Sequence, residues 1–216
     1  MAAFHLDHEF RLTLKDGDER HSLMAMKHFY TKIHGWCYCQ ELYEEMVEAA
    51  PQNGAKFVEV GAWKGKSAAF MAVTIANSDK DIKFSTVDTW LGSDERAHKK
   101  DTDILAGTLY ETFLSNIEPV ALYINPMRMT SVEASRRFSD GELDFVFIDA
   151  SHKYIDVCDD INAWLPKINE SGTLGGDDIG WSGVKRAVDE TIGEGNYQIH
   201  GRYWQFKKET GTKGIH

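Results

Sequence analysis

Proline is scarce in this chain, with four in 216 residues, and no proline-rich or low-complexity linker divides it. That argues against a string of separate modules and for one domain with a full core, or one domain plus a small cap. Cysteine is scarce too. Cys37, Cys39 and Cys158 are the full set, too few for a disulfide framework and suited to a reducing compartment. The Cys37-x-Cys39 pair follows His28 and His34, yet it is tighter than the spacing of structural zinc and has no second pair to match it. Positive charge is in deficit, with 24 Lys and Arg against 34 Asp and Glu, a net charge of −10. This argues against nucleic acid and anionic membranes as partners, and the basic runs at 96–100 and 207–208 read as solvated surface. No run approaches the roughly 18 apolar residues of a membrane span. The first twelve residues lack the basic-then-apolar order of a secretory signal. A cytoplasmic protein is expected, and nothing speaks against a homo-oligomer.

What is present is ordinary globular composition, 42% hydrophobic and 27% charged, with a clear alternation of elements. Apolar spacing predicts two helices near the N-terminus, about 22–33 and 40–50, separated by the aromatic turn HGWCYC. From Lys56 onward, strands and helices alternate. Strands are expected at 56–60, 82–87, 121–125, 143–148 and 172–176, with helices at 66–77, 104–117, 131–138, 154–165 and 183–192 between them. The continuous apolar runs suit a parallel sheet covered on both faces. Segments 196–200 and 202–208, joined by Gly201, read as a hairpin. The expected fold class is α/β: a Rossmann-like, doubly wound, mainly parallel seven-stranded sheet with an antiparallel C-terminal hairpin. Residues 1–52 would form a helical cap on the domain made by 53–216. The polar connection from Asp88 to Thr102 is long enough to be a binding loop or lid.

Residues 57–67, FVEVGAWKGKS, run from an apolar strand through a glycine turn into a helix, the place where α/β folds receive anionic ligand groups. Gly61 and Gly65 are four apart with Trp63 between them, so the dinucleotide pattern G-x-G-x-x-G is not met. The phosphate-binding pattern G-x-x-x-x-G-K-[ST] falls one residue short, and Glu59 would repel a polyphosphate. The remaining pattern, E-x-G-x-x-x-G-x-S, resembles motif I of the class I S-adenosylmethionine (SAM)-dependent methyltransferases. The sheet finished by a hairpin resembles their fold. The resemblance implies that Gly61, Ala62, Trp63 and Gly65 approach the methionine end of SAM. Ser67 would bind its carboxylate and Glu59 its ammonium. Asp88, 27 positions after Gly61 at the end of the second expected strand, would accept from the ribose hydroxyls. Adenine would lie by Met129, Thr130 and Ser131, although Ser131 reads equally as a helix N-cap with Glu133 in the first turn.

A second signal is FIDASHKY at 147–154 followed by GGDD at 175–178. Asp149 ends one expected strand, and Asp177 and Asp178 end the next. Adjacent strands lie ~4.8 Å apart, so the three carboxylates converge, and a divalent ion would relieve their repulsion. Mg²⁺ suits an all-oxygen set best, with Ca²⁺ or Mn²⁺ as alternatives. Separations of 28 and 29 residues resemble the metal acids of catechol and macrolide-sugar O-methyltransferases. Catechol enzymes have Asp-Asn at the second site and a lysine where His152 stands, so the likeness is closer to the sugar-modifying group. Asp149 would serve metal, SAM and catalysis together, and His152, with a pKa near neutrality, is the candidate general base. Trp36, Trp63, Trp90, Tyr154 and Trp181 are candidate pocket walls, Trp36 as part of a lid. The expected function is SAM-dependent O-methylation of a small hydroxylated acceptor of sugar, polyol or phenol type. The rivals are a non-catalytic SAM- or metal-binding module, and a nucleoside-triphosphate-binding protein with Lys66 in a shortened P-loop.

Overall fold

The computed structural model describes residues 25–93 and 98–208. Strands β1 (Asn53–Val60), β2 (Asp81–Asp88), β3 (Asn125–Arg128), β4 (Leu143–Ile148), β5 (Ile168–Gly176), β6 (Gln198–His200) and β7 (Tyr203–Lys207) form one sheet, in the order β3-β2-β1-β4-β5-β7-β6. The first five are parallel, and β7 runs antiparallel to both β5 and β6. Strand order reverses between β1 and β4. The crevice beyond their carboxyl ends is where such sheets bind ligands.

Both faces of the sheet are buried, which is why its central strands carry no polar alternation. Phe57, Phe145 and Phe147 face one apolar cluster with helices α1 (Gln40–Ala49) and α2 (Lys66–Ala76). Val58, Val60, Val146 and Ile148 face a second one, with α6 (Tyr154–Trp164) and α7 (Ser182–Val188). Each such side chain contributes roughly 1.5–3 kcal/mol on burial. No described helix is long and apolar enough to cross a membrane.

Several expected boundaries move. The third strand is not 121–125: residues 118–123 form a 3-10 helix with Pro119 in its first turn, and β3 starts at Asn125. Proline pre-sets a helical φ, and Val120 and Ile124 are both buried while Leu122 between them is 99% exposed. In a strand, Val120, Leu122 and Ile124 would share one face, so a buried-exposed-buried pattern does not fit one. Pro126 is tolerated because β3 is an edge strand. The helix expected over 104–117 is two helices, α3 (Thr102–Ala106) and α4 (Leu109–Ile117), broken at Gly107 with φ +72°. The helix expected over 131–138 is shorter, α5 (Ser131–Ser135). α7 ends at Val188 and continues as a π-helical turn over Asp189–Gly193. Of the helix expected at 22–33, residues 22–24 lie outside the described residues. The rest holds only a 3-10 turn, Tyr30–Lys32. This segment is a strap laid on α2. Met26 exchanges two hydrogen bonds with the Asn77 side chain, at 2.7 and 3.0 Å, and His28 stacks on Phe70 at 4.4 Å. Its apolar residues recur at helical spacing but are drawn one at a time onto α2.

Candidate active site

The glycine turn is held by the strand ends on either side of it. Gly61 has φ +97° and donates its N–H to Val87 O at 2.8 Å. A Cβ placed there would sit 1.9 Å from the Asp149 carbonyl oxygen, so the exits of β1 and β4 pack backbone to backbone. Asp88 Oδ2 accepts from the N–H groups of Ala62 and Trp63 at 3.0 and 2.8 Å, and Oδ1 accepts from Trp90 N–H at 2.7 Å. The Trp90 indole then donates to Trp63 O at 2.9 Å. Trp63 and Trp90 both have positive φ, 41° and 52°, a strain of roughly 1–3 kcal/mol each that persists because the surrounding bonds over-determine it. Helix α2 opens at Gly65 without a side-chain cap, leaving first-turn N–H groups for a ligand.

Both lysines of the turn border the cavity and already have partners in the protein. Lys64 is buried and pairs with Asp101 and Asp103 at 2.7 and 2.6 Å, and Lys66 donates to Gly35 O at 2.8 Å.

Glu59 lies below the turn, 1% exposed, and accepts from the Tyr43 hydroxyl at 2.8 Å. Its other oxygen, Oε2, makes no hydrogen bond among the described residues. Burial pushes its pKa up to about 7, against the pull of the nearby Ser67 and Tyr43 hydroxyls.

At the other end, β4 delivers Asp149 and β5 delivers Asp177 and Asp178. Asp149, His152 and Asp178 bring ligand atoms within 4.8 Å of one another. Asp177 is not part of that group: its Oδ1 accepts from Asp178 N–H at 2.8 Å. Burial and then the Asp177 charge push the Asp149 pKa well above the usual carboxylate range. Burial and the Asp178 charge raise that of Asp177. Asp178 differs. Burial would raise it as well, but His152 and Arg202 outweigh burial and hold it below the ordinary value. Its Oδ2 lies 2.9 Å from His152 Nε2, and its Oδ1 accepts from an Arg202 Nη. His152 is stacked on Trp181 at 4.6 Å.

One cavity of about 710 Å³ runs between these two ends, within the usual range for small-molecule sites. Gly61, Ala62, Trp63, Ser67, Asp88, Met129 and Ser131 line one part of it. Asp149, His152, Asp177, Asp178 and Arg202 line the other.

Residues 58–179, more than half of the chain, match the methyltransferase domain family. The chain belongs to this methyltransferase family. The O-methyltransferase NovP is similar in structure, with a TM-score of 0.58 at 16% identity over 79% of each chain. So are the calicheamicin methyltransferase CalS11 (0.58, 11%, 78% of this chain and 76% of that one) and a SAM-dependent O-methyltransferase of Thermotoga maritima (0.56, 11%, 85% and 69%). At these identities the likeness establishes the fold. By sequence, the uncharacterized protein y4gI of Sinorhizobium fredii is 28% identical over 146 residues, 68% of this chain. The chain spans about 15% of that protein's length.

This methyltransferase domain fits SAM by its own chemistry. The uncapped helix start and buried Ser67 suit a carboxylate, and a buried, incompletely partnered Glu59 lies beneath the turn. Glu59 does not line the cavity, so it reaches a ligand only from behind the turn. Asp88 does line it, with three of its acceptor positions already used by backbone. Thr130 does not. It, rather than Ser131, is the N-cap of α5, and its hydroxyl is spent on Glu133 Oε2 at 2.7 Å in a capping box. Ser131 is on the wall, where its Oγ accepts from the Trp164 indole at 2.9 Å.

Among the aromatics, Trp36, Trp63 and Trp181 line the cavity. Trp90 is buried against Tyr110 and Phe113, and the Tyr154 hydroxyl is bonded to Glu190. Trp36, 55% exposed, lies parallel to Trp63 at 5.4 Å. Of the expected loop, Thr89, Gly92, Ser93 and His98 reach the cavity, and 94–97 lie outside the described residues. Sequence reasoning missed Tyr43, Lys64, His98 and Arg202. Only a spatial neighbour gives each its meaning.

The Asp149 and Asp178 carboxylate oxygens could hold a divalent ion, with the His152 imidazole next to them. Two of the acids, Asp149 and Asp177, have raised pKa values that a cation would relieve.

Proposed function

We propose that the protein is a SAM-dependent O-methyltransferase acting on a small hydroxylated molecule of sugar, polyol or phenol type, assisted by a divalent ion such as Mg²⁺. The observation that carries this reading is the single cavity joining the glycine turn to the Asp149–His152–Asp178 group. When bound, SAM supplies an electrophilic methyl group on a positively charged sulfur. The turn and the start of α2 orient its methionine end, and Asp88 and Met129 flank the nucleoside end. The chain then has to place an acceptor oxygen in line with that methyl and remove its proton.

His152 takes the proton as the new carbon–oxygen bond forms and the carbon–sulfur bond breaks. Asp178 Oδ2, 2.9 Å from Nε2, would steady the imidazolium that forms. Trp181 limits its rotation by stacking on the ring. Asp149 and Asp178 are the residues that would hold the ion, with Asp177 beside them keeping the site anionic. The ion would make a bound hydroxyl easier to ionise.

Calorimetry with SAM, ATP and NAD tests the donor, and binding is expected for SAM alone. Preferential ATP binding would end the reading. In an assay with a true acceptor, His152→Ala should lower kcat by about 10²–10⁴-fold while SAM affinity stays within about threefold. Unchanged turnover would remove His152 from the chemistry.

A further inference from the structure

Asp178 stands apart from its two neighbours because both of its oxygens already face side-chain nitrogens, His152 Nε2 beside Oδ2 and the Arg202 guanidinium on Oδ1. An ion approaching Asp178 must displace one of them or share an oxygen with a like charge. The two donors are not equally easy to move. His152 is held by its stack on Trp181 and its side chain is only 15% exposed. The Arg202 side chain is 51% exposed and reaches in from the β6–β7 turn. Its backbone is fixed beside the site, since Ile179 N–H donates to Arg202 O at 2.9 Å. Its guanidinium also lies over the Tyr38 ring, 4.4 Å from the centroid. That ring gives the arginine a second favourable contact, worth about 0.5–1 kcal/mol at an exposed site, on the segment that carries Trp36.

We infer that Arg202 is a built-in cation on Asp178 that a divalent ion must displace, so that the β6–β7 hairpin sets the affinity of the acid cluster for metal. Arg202 is therefore a positioning residue. With the ion absent it occupies Asp178 Oδ1 and leaves Oδ2 facing His152. With the ion present it is released towards solvent. Tyr38 acts through Arg202 by holding the guanidinium in place. The inference rests on the ion of the proposed mechanism.

The test is Mn²⁺ binding to the full chain without SAM or acceptor, read from the electron paramagnetic resonance signal of free Mn²⁺. Arg202→Met should tighten Mn²⁺ binding by about tenfold, a tenfold change being ordinary for competition between two charges at one carboxylate. Arg202→Lys should stay near the wild-type value, because charge is kept. Tyr38→Leu should tighten binding by roughly two- to threefold, having loosened but not removed the arginine. Equal affinity in Arg202→Met and wild type would overturn the inference, and so would weaker binding in Arg202→Met. If no variant nor wild type binds Mn²⁺, the inference and the ion of the proposed mechanism fall together. SAM binding by calorimetry remains a separate outcome.

Discussion

The exits of β1 and β2 and the exits of β4 and β5 each place an aspartate at the edge of the same cavity, and the chain treats the two in opposite ways. Asp88 is met by backbone, with three N–H groups from the turns that follow β1 and β2. Asp178 is met by side chains, an imidazole and a guanidinium. Backbone donors cannot leave without unmaking the turns, so the donor end has a permanent shape and its acid works as a structural tie. Side-chain donors can rotate away, so the acid at the other end keeps a coordination position that another cation could claim. In Asp149 and Asp177 burial, and then a neighbouring carboxylate, raises the pKa. Strand-end acids alike in sequence thus have different chemistry, decided by the kind of group that answers them.

The two ends touch at Gly61, and that contact is the place to break the comparison most severely. Gly61→Ala forces a methyl group onto the Asp149 carbonyl at a positive φ. It should cost at least ~4 kcal/mol of stability and abolish SAM binding. Denaturant unfolding and calorimetry read the two effects, and a wild-type unfolding midpoint would show that the strand exits are not packed as described.

The donor end also has a proton that can be counted. The folded protein keeps Glu59 protonated up to a pKa of about 7, against 4.5 as the ordinary value. Between those values the unfolded chain has released a proton that the folded one retains, so stability falls as pH rises from about 4.5 to 7. The full penalty, on the order of 3 kcal/mol, is present above pH 7. Glu59→Gln should flatten that part of a Tm-against-pH curve. An unaltered slope would mean that Glu59 is ionised when folded and has found a partner for Oε2.

The smallest effect is expected at the edge of the donor end. Thr130→Ala removes the capping box of α5, which should cost about 1 kcal/mol in unfolding experiments. SAM affinity should stay within about twofold by calorimetry. A marked loss of SAM affinity would return Thr130 to the adenine site and extend the binding surface beyond the cavity wall.

Much of the site was legible because its signals are local. FVEVGAWKGKS names a strand, a turn and a helix start within eleven residues, and β1 and α2 lie where that string puts them. DASH and GGDD announce strand-end acids in the same way. The third strand was misplaced because an apolar run, ALYI, carries no mark distinguishing a strand from a 3-10 turn. Pro119 and the edge position of β3 decide it. The strap at 25–33 kept helical spacing without being a helix, since its partners on and just past α2 lie 42 to 51 residues away in sequence.

By itself, then, the sequence determined the order of elements, the parallel sheet with its closing hairpin, and which residues stand at the strand exits. Periodicity and turn chemistry are properties of neighbours along the chain. The partner of each exit residue was decided only by tertiary structure: Tyr43 for Glu59, the turn N–H groups for Asp88, and Arg202 for Asp178. Apart from Trp90, two positions after Asp88, these pairings join residues 16 to 26 positions apart on different elements. No local pattern encodes them. Packing two elements side by side brings a charge to its counter-charge, and that step turned three similar acids into a structural tie, a proton holder and a candidate ion ligand.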